Sequence, residues 1–254
     1  MGVAQGLIAS LKTTSVSYDS DAQAFFTAAG ITSTTEKDAW NTFVLAAKSN
    51  GYWSKFFAIY PFLGGTSSSC SYNAKNTATF QISWTGSLTF NSTGLVGHSS
   101  NSYGNTGFNM NSSGWTNSSA SFGCYSRTTP VNNTFNMLDN STINDAYIGT
   151  EGGSASYAIM TQGGGGTFGT KLMIAQAESS SFSVLYRDNS YTSDSSGAHV
   201  RNSVNMYLMG SSTISSHASN NIGLAFIGST FTSGEITNFT TNVNTLMTSL
   251  GRNV

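Results

Sequence analysis

Residues 78–85 read Ala-Thr-Phe-Gln-Ile-Ser-Trp-Thr, so that Ala78, Phe80, Ile82 and Trp84 alternate with Thr79, Gln81, Ser83 and Thr85. A period of two puts the apolar set on one face of a pleated strand and the polar set on the other. Ala120, Phe122 and Cys124 alternate in the same way with Ser119, Ser121 and Gly123. The pattern returns at Ala155, Tyr157, Ile159; at Leu172, Ile174; at Phe182, Val184, Tyr186; at Val204, Met206, Leu208; and at Ile222, Leu224, Phe226. Short half-buried strands separated by Asn, Ser and Gly clusters predict antiparallel sheets packed face to face, a mainly β sandwich. Asp188-Asn189-Ser190 is placed to turn one hairpin.

On either side of this region the period is helical. Ser20 with Gln23 forms a capping box before the apolar run Ala22 to Ala29, and Gly30 suits the left-handed end. Thr32 or Ser33 caps a second helix carrying Ala39, Trp40, Phe43, Val44 and Ala47, which Asn50-Gly51 ends. Tyr52, Trp53, Phe56, Phe57, Tyr60 and Phe62 then crowd a short third turn before a Gly64-Gly65 hinge. Near the other end, Thr232 and Glu235 form a capping box, and Ile236, Phe239, Val243, Leu246 and Leu250 make one apolar stripe. That stripe spans two heptads flanked by Thr and Asn, too short and too uncharged for a coiled-coil seam, so it is expected to lie on its own sandwich. The chain divides accordingly into an extension, 1–19, a helical hairpin, 20–63, a β-sandwich, 64–231, and a C-terminal helix, 232–254.

The 254 residues are 38% hydrophobic and 12% aromatic, enough for a real core, but only 8% charged, against about 25% in an average soluble domain. Ser, Thr, Asn and Gly supply about half the chain, so hydroxyls and amides keep it in solution. With a net charge of −1 and its basic residues scattered singly, the chain lacks the stripe that nucleic acid binding requires. No apolar run approaches the roughly 18 residues of a membrane span, and Met1 to Leu11 carry no basic segment of the kind that opens a secretory signal. Cys70 and Cys124 read as small half-buried hydrophobes, with a disulfide as the alternative; a reducing cytoplasm argues for free thiols.

Motifs for chemistry are sparse. The sandwich's acids, Asp139, Asp145, Glu151, Glu178, Asp188 and Asp194, contain no pair two or four residues apart of the kind a glycosidase strand presents. His98, His199 and His217 stand apart from each other and from the acids and read as surface or loop residues, so no metal, cofactor or catalytic set is expected. If a calcium site exists, the loop carrying Asp188 and Asp194 is its place. Gly164, Gly166 and Gly169 satisfy GxGxxG but run into a strand rather than a helix, so they read as a loose glycine loop. Tyr103 and Trp115, set among Asn, Ser and Gly, are the candidate sugar-stacking residues; the competing reading is that they cap the core.

Three stretches together resemble a family of phage virion and prophage-encoded structural proteins with a laminin-G-like, concanavalin A-like jelly roll. They are residues 24–32 (AFFTAAGIT) with Trp53 and 58–66 (AIYPFLGGT); 124–128 (CYSRT); and 224–228 (LAFIG) with 248–252 (TSLGR). The resemblance implies a non-enzymatic, surface-displayed fibre, capsid decoration or tail-associated module, made in the host cytoplasm and carried in the virion. Its partners would be other virion proteins and copies of itself, with no nucleic acid and no membrane. The alternative is a lectin-like module that attaches to a host or other glycan.

Overall fold

A computed structural model describes residues 17–98, 101–129, 134–139, 146–151, 154–160, 162–166, 169–213 and 217–254. The extension expected over 1–19 lies outside the described residues up to residue 16.

Two antiparallel sheets form the body. The first, sheet A, runs in the order β13 (Ser190–Ser196), β12 (Phe182–Arg187), β11 (Lys171–Ser179), β6 (Ala120–Ser126), β15 (Asn221–Gly228), β4 (Gly94–Val96) and β3 (Thr89–Asn91). A further strand, β1 (Phe56–Tyr60), shares the β4 side of β15 by pairing Ala58 to Tyr60 with Ile227 to Ala225. Sheet B runs in the order β10 (Gln162–Gly166), β9 (Ser154–Ile159), β8 (Tyr147–Glu151), β7 (Thr134–Asp139), β14 (Asn205–Leu208), β5 (Tyr103–Asn109) and β2 (Ser83–Thr85). Phe122, Met173, Leu185 and Ile227 of sheet A meet Phe108, Met137, Ile148 and Leu208 of sheet B in one buried core.

Three helices form a further layer on the other face of sheet A: α1 (Ser20–Ala29), α2 (Thr34–Ser49) and α3 (Ser233–Ser249). Phe25, Trp40, Phe43, Phe239 and Leu246 pack there against Tyr125, Leu172, Ile174, Leu224 and Phe226. Every residue of β6 is therefore buried, where alternation alone predicted a half-buried strand; the helices hide the face that water would otherwise wet. Gly123 permits this, because a Cβ there would lie 2.7 Å from the ring of its cross-strand partner Phe226.

The caps follow the sequence with one shift. Ser33 Oγ accepts from the Glu36 amide, and the Thr232/Glu235 box is complete, with Glu235 Oε2 accepting from the Thr232 amide at 2.7 Å. At α1, Asp19 rather than Ser20 is the cap, its carboxylate accepting from the Asp21 amide at 2.9 Å. Phe239, Val243 and Leu246 of α3 pack with the sheet A residues Leu224 and Phe226.

Three expectations are corrected. The segment 20–63 is not wholly helical: after a 3-10 turn at Trp53–Lys55, the aromatic cluster enters sheet A as β1. Gly64-Gly65 is a fixed corner, not a hinge; the Gly64 amide donates to Glu36 Oε1 at 3.1 Å, and a Cβ there would meet Ser69 and Ile31 within 3 Å. Of residues 78–85 only 83–85 form a strand, because Phe80 turns to φ 53° and its carbonyl accepts the Tyr60 hydroxyl at 2.7 Å.

Candidate functional site

Trp115 is 2% exposed, so the structure corrects its reading as a sugar contact. Its Nε1 donates to the Gly228 carbonyl at 2.9 Å, and its ring lies 5.4 Å from Phe108 and 5.9 Å from Phe122, filling the space between the sheets. Tyr103 is half-buried in a separate aromatic cluster, 5.6 Å from Tyr207 and stacked at 6.3 Å on His217. The two candidate residues are not brought together.

The structure instead places an exposed aromatic beside charge at the turn of β12 and β13. Asp188 and Asn189 both have positive φ, 46° and 66°, while Arg187 pairs with Ser190, which makes a two-residue hairpin of the kind Asp-Asn favours. Long-range bonds fix this turn: Asp188 Oδ2 meets Lys171 Nζ at 2.6 Å, Asp188 Oδ1 accepts from Asn244 of α3 at 2.9 Å, and Asn189 Oδ1 accepts from Thr237 at 2.9 Å. Burial by itself would raise the Asp188 pKa, but the bonds from Asn244 and Lys171 outweigh it and hold the carboxyl below its ordinary value.

Beside the turn lies an open hollow of about 460 Å³ lined by Thr170, Lys171, Arg187, Asp188, Ser190, Tyr191 and Thr192. Tyr191 is 54% exposed. Its hydroxyl donates to Asp194, and that bond pushes its pKa up to about 12. Edge-on to it at 6.2 Å stands Tyr186, whose hydroxyl donates to Glu178 Oε1 at 2.8 Å. Register places Gln176, Val184 and Asp194 side by side on one face of sheet A, and Gln176 Nε2 reaches Glu178 at 3.2 Å. Glu178 and Asp194 thus come to one face although sixteen positions separate them, each held by its own tyrosine. Sequence reading identified the turn but weighed neither Tyr191 nor Arg187; the cross-strand Tyr186–Tyr191 pair was the available signal.

The remaining candidates are structural. His199 and His217 are buried rather than on the surface, with His199 Nδ1 2.8 Å from the Asn117 carbonyl and His217 Nε2 3.2 Å from that of Ser211. Asp139 is buried, while Asp145 and the Glu151 side chain lie outside the described residues. Cys70 and Cys124 are free and buried. Of the glycine loop, Gly164 and Gly166 belong to β10, and the chain continues into β11. No group of three or more metal-ligating side chains occurs among the described residues, and among them no helix is long and apolar enough to cross a membrane.

No family model and no curated protein matches the chain. Among solved structures, it is similar to domain 4 of AbnA, a GH43 extracellular arabinanase from Geobacillus stearothermophilus, solved in complex with arabinotriose. The likeness has a TM-score of 0.52 at 11% identity and covers 73% of this chain and 98% of that one. It concerns the fold, a β-sandwich.

Proposed function

We propose that this chain is a non-catalytic structural module of a phage virion, displayed on the particle surface as a fibre, decoration or tail-associated element. The observation that carries the reading is a convergence of the stretches behind the resemblance. Arg252, 1% exposed, donates from Nη1 to the Pro61 carbonyl at 2.9 Å and from Nη2 to that of Phe62 at 3.1 Å. Arg127 Nε in turn donates to the Arg252 carbonyl at 2.7 Å, and the Val254 amide donates to the Tyr125 hydroxyl at 3.3 Å. Residues 58–60 pair with 225–227 in the same region. Segments far apart in sequence therefore meet to weld the helical layer to sheet A, a framework role that involves no reacting group. The low charge supports packing against further copies, since few like charges have to be brought together.

The test is immunogold labelling of purified particles with an antibody raised against the chain. Labelled particles are expected; recovery of the chain only from the particle-free fraction would overturn the reading.

A second reading, glycan attachment, is favoured by the exposed Tyr191 in its hydroxyl-lined hollow, since aromatic faces flanked by hydrogen-bonding groups suit sugar rings. The similar arabinanase domain was solved with arabinotriose, which agrees with this reading. A glycan array is expected to show a defined sugar bound by the chain and lost in Tyr191→Ala. Binding to no glycan, or binding unchanged in that variant, would refute it.

A further inference from the structure

We propose that the hollow at the β12–β13 turn takes a carboxylated sugar, with Arg187 holding its carboxylate. This rests on the glycan reading of the hollow and names the ligand class.

The argument starts from the scarcity of charge. Ten basic residues occur in the chain, and nine of them, all but Lys12, lie among the described residues. Seven of the nine are committed to internal partners. Lys48 pairs with Asp19 and Asp21, Lys55 with Glu235, and Lys171 with Asp188. Lys75 sits 4.8 Å above the Trp53 ring, Arg201 binds the Trp115 carbonyl and Asn117, and Arg127 and Arg252 bind backbone carbonyls. The two left over are Lys37, in the first turns of α2, and Arg187.

Arg187 lines the hollow beside the turn. Its Nε makes one long bond of 3.5 Å to the Thr170 carbonyl, and neither Nη has a hydrogen-bond partner among the described residues. The guanidinium nevertheless has a defined seat. It lies so close to Gly169 that a Cβ on that residue would come within 2.3 Å of Nη2 and 2.7 Å of Cζ. The adjacent Asp188 makes no salt bridge to it; its two carboxylate oxygens bond Lys171 and Asn244. Lys171, Arg187 and Asp188 leave the lining with a net positive charge, in a volume within the roughly 300–1,000 Å³ of small-molecule sites.

A guanidinium with free N–H groups, seated against backbone, matches the two oxygens of a carboxylate. Tyr191 lines the same hollow, and Thr170, Ser190 and Thr192 offer hydroxyls for those of a sugar. A neutral sugar would use the tyrosine and the hydroxyls but would leave Arg187 unpaired.

The test uses the full chain and two matched probe pairs: hexagalacturonate against the same oligomer with its carboxyls reduced, and sialyllactose against lactose. Calorimetric titration is expected to show at least one acidic member binding tenfold or more tighter than its neutral counterpart, with affinity falling as salt rises. Arg187→Gln is expected to weaken the acidic probe by about tenfold or more, the loss for removing charge-assisted hydrogen bonds. Gly169→Ala, at a residue whose φ is not in the left-handed region, tests the seat without deleting the charge and is expected to weaken the same probe. Unchanged melting temperatures in both variants show that folding is intact. Equal binding of acidic and neutral members would overturn this inference and leave the glycan reading standing. Binding of no probe and of no array glycan would overturn both. Acidic binding that survives Arg187→Gln would place the charge elsewhere and also overturn the inference.

Discussion

Truncating Phe239 to alanine removes the ring on which the helical layer turns. Phe239 is fully buried, and its centroid lies 5.0 Å from Phe226, 5.2 Å from Phe56, 5.4 Å from Phe231, 5.5 Å from Tyr52 and 6.2 Å from Phe43. These neighbours belong to β15, β1, the approach to α3, the end of the α2 turn and α2 itself, so one side chain joins five segments. Burial of such a ring contributes about 1.5–3 kcal/mol by transfer alone. The cavity left by Phe→Ala brings the whole cost to about 3–5 kcal/mol. Five rigid aromatic walls cannot collapse into the space, which argues for the upper half of that range. The pairwise ring terms, about 0.5–1.5 kcal/mol each, share one ring and are not added on top. At about 2–4 °C per kcal/mol for a chain of this size, the melting temperature should fall by about 6–20 °C. Denaturant unfolding of the wild type and Phe239→Ala at two protein concentrations tenfold apart measures this. A loss below about 1 kcal/mol would refute the packing argument, and a midpoint that moves with concentration would mean that α3 holds copies together instead.

Arg252→Met should cost about 3–5 kcal/mol, since it strips bonds from the carbonyls of Pro61, Phe62 and Ser92 and leaves the first two buried without a partner; a melting temperature within a degree of wild type would contradict it. Burial pushes the Cys70 thiol up to about 11 and the Cys124 thiol up to about 12, so Ellman's reagent should find none in the native chain and two after denaturation without reductant. None after denaturation would instead show a disulfide. Acid should destabilise the fold through Asp21, Asp188 and Glu235. The hydrogen bond from Lys48 lowers Asp21; for Asp188 and Glu235 burial pushes upward, but bonds from Asn244 and Lys171, and from Lys55, prevail. The folded chain then binds fewer protons than the unfolded one, so this stabilisation is complete above about pH 4.5 and is lost as pH falls through the depressed values. Melting temperatures should be flat from about pH 6 to 8 and drop by about pH 3; no drop would count against these pairs.

The central strands were legible because their apolar alternation is strong, and α3 because its capping box and stripe are both local. The burial of β6 on both faces was not, since Gly123 reads as a polar-side residue until Phe226 is seen to need its space. β1 was hidden by its own aromatics: Phe56 faces the helices and Ala58 the other sheet, so both faces are apolar and no period shows. Short strands such as Thr89–Asn91 and the glycine-rich Gln162–Gly166 carry too few apolar residues to alternate. The hollow depends on Lys171, Asp188 and Asn244 meeting across two strands and a helix, and no sequence spacing encodes that contact.

β15 follows every other described strand in the chain, yet it lies inside sheet A, between β6 on one side and β1 with β4 on the other. A nascent chain that has reached residue 220 therefore holds the sheet in two pieces, with the slot between them open. Helices α1 and α2 lack part of the surface they finally cover, because Leu224 and Phe226 are still missing. Closure waits for contacts between segments some 170 residues apart, which makes it slow and gives it an all-or-none character. A fragment cut short by a few dozen residues would present unpaired strand edges and a bare apolar slot, surfaces that proteases and chaperones recognise.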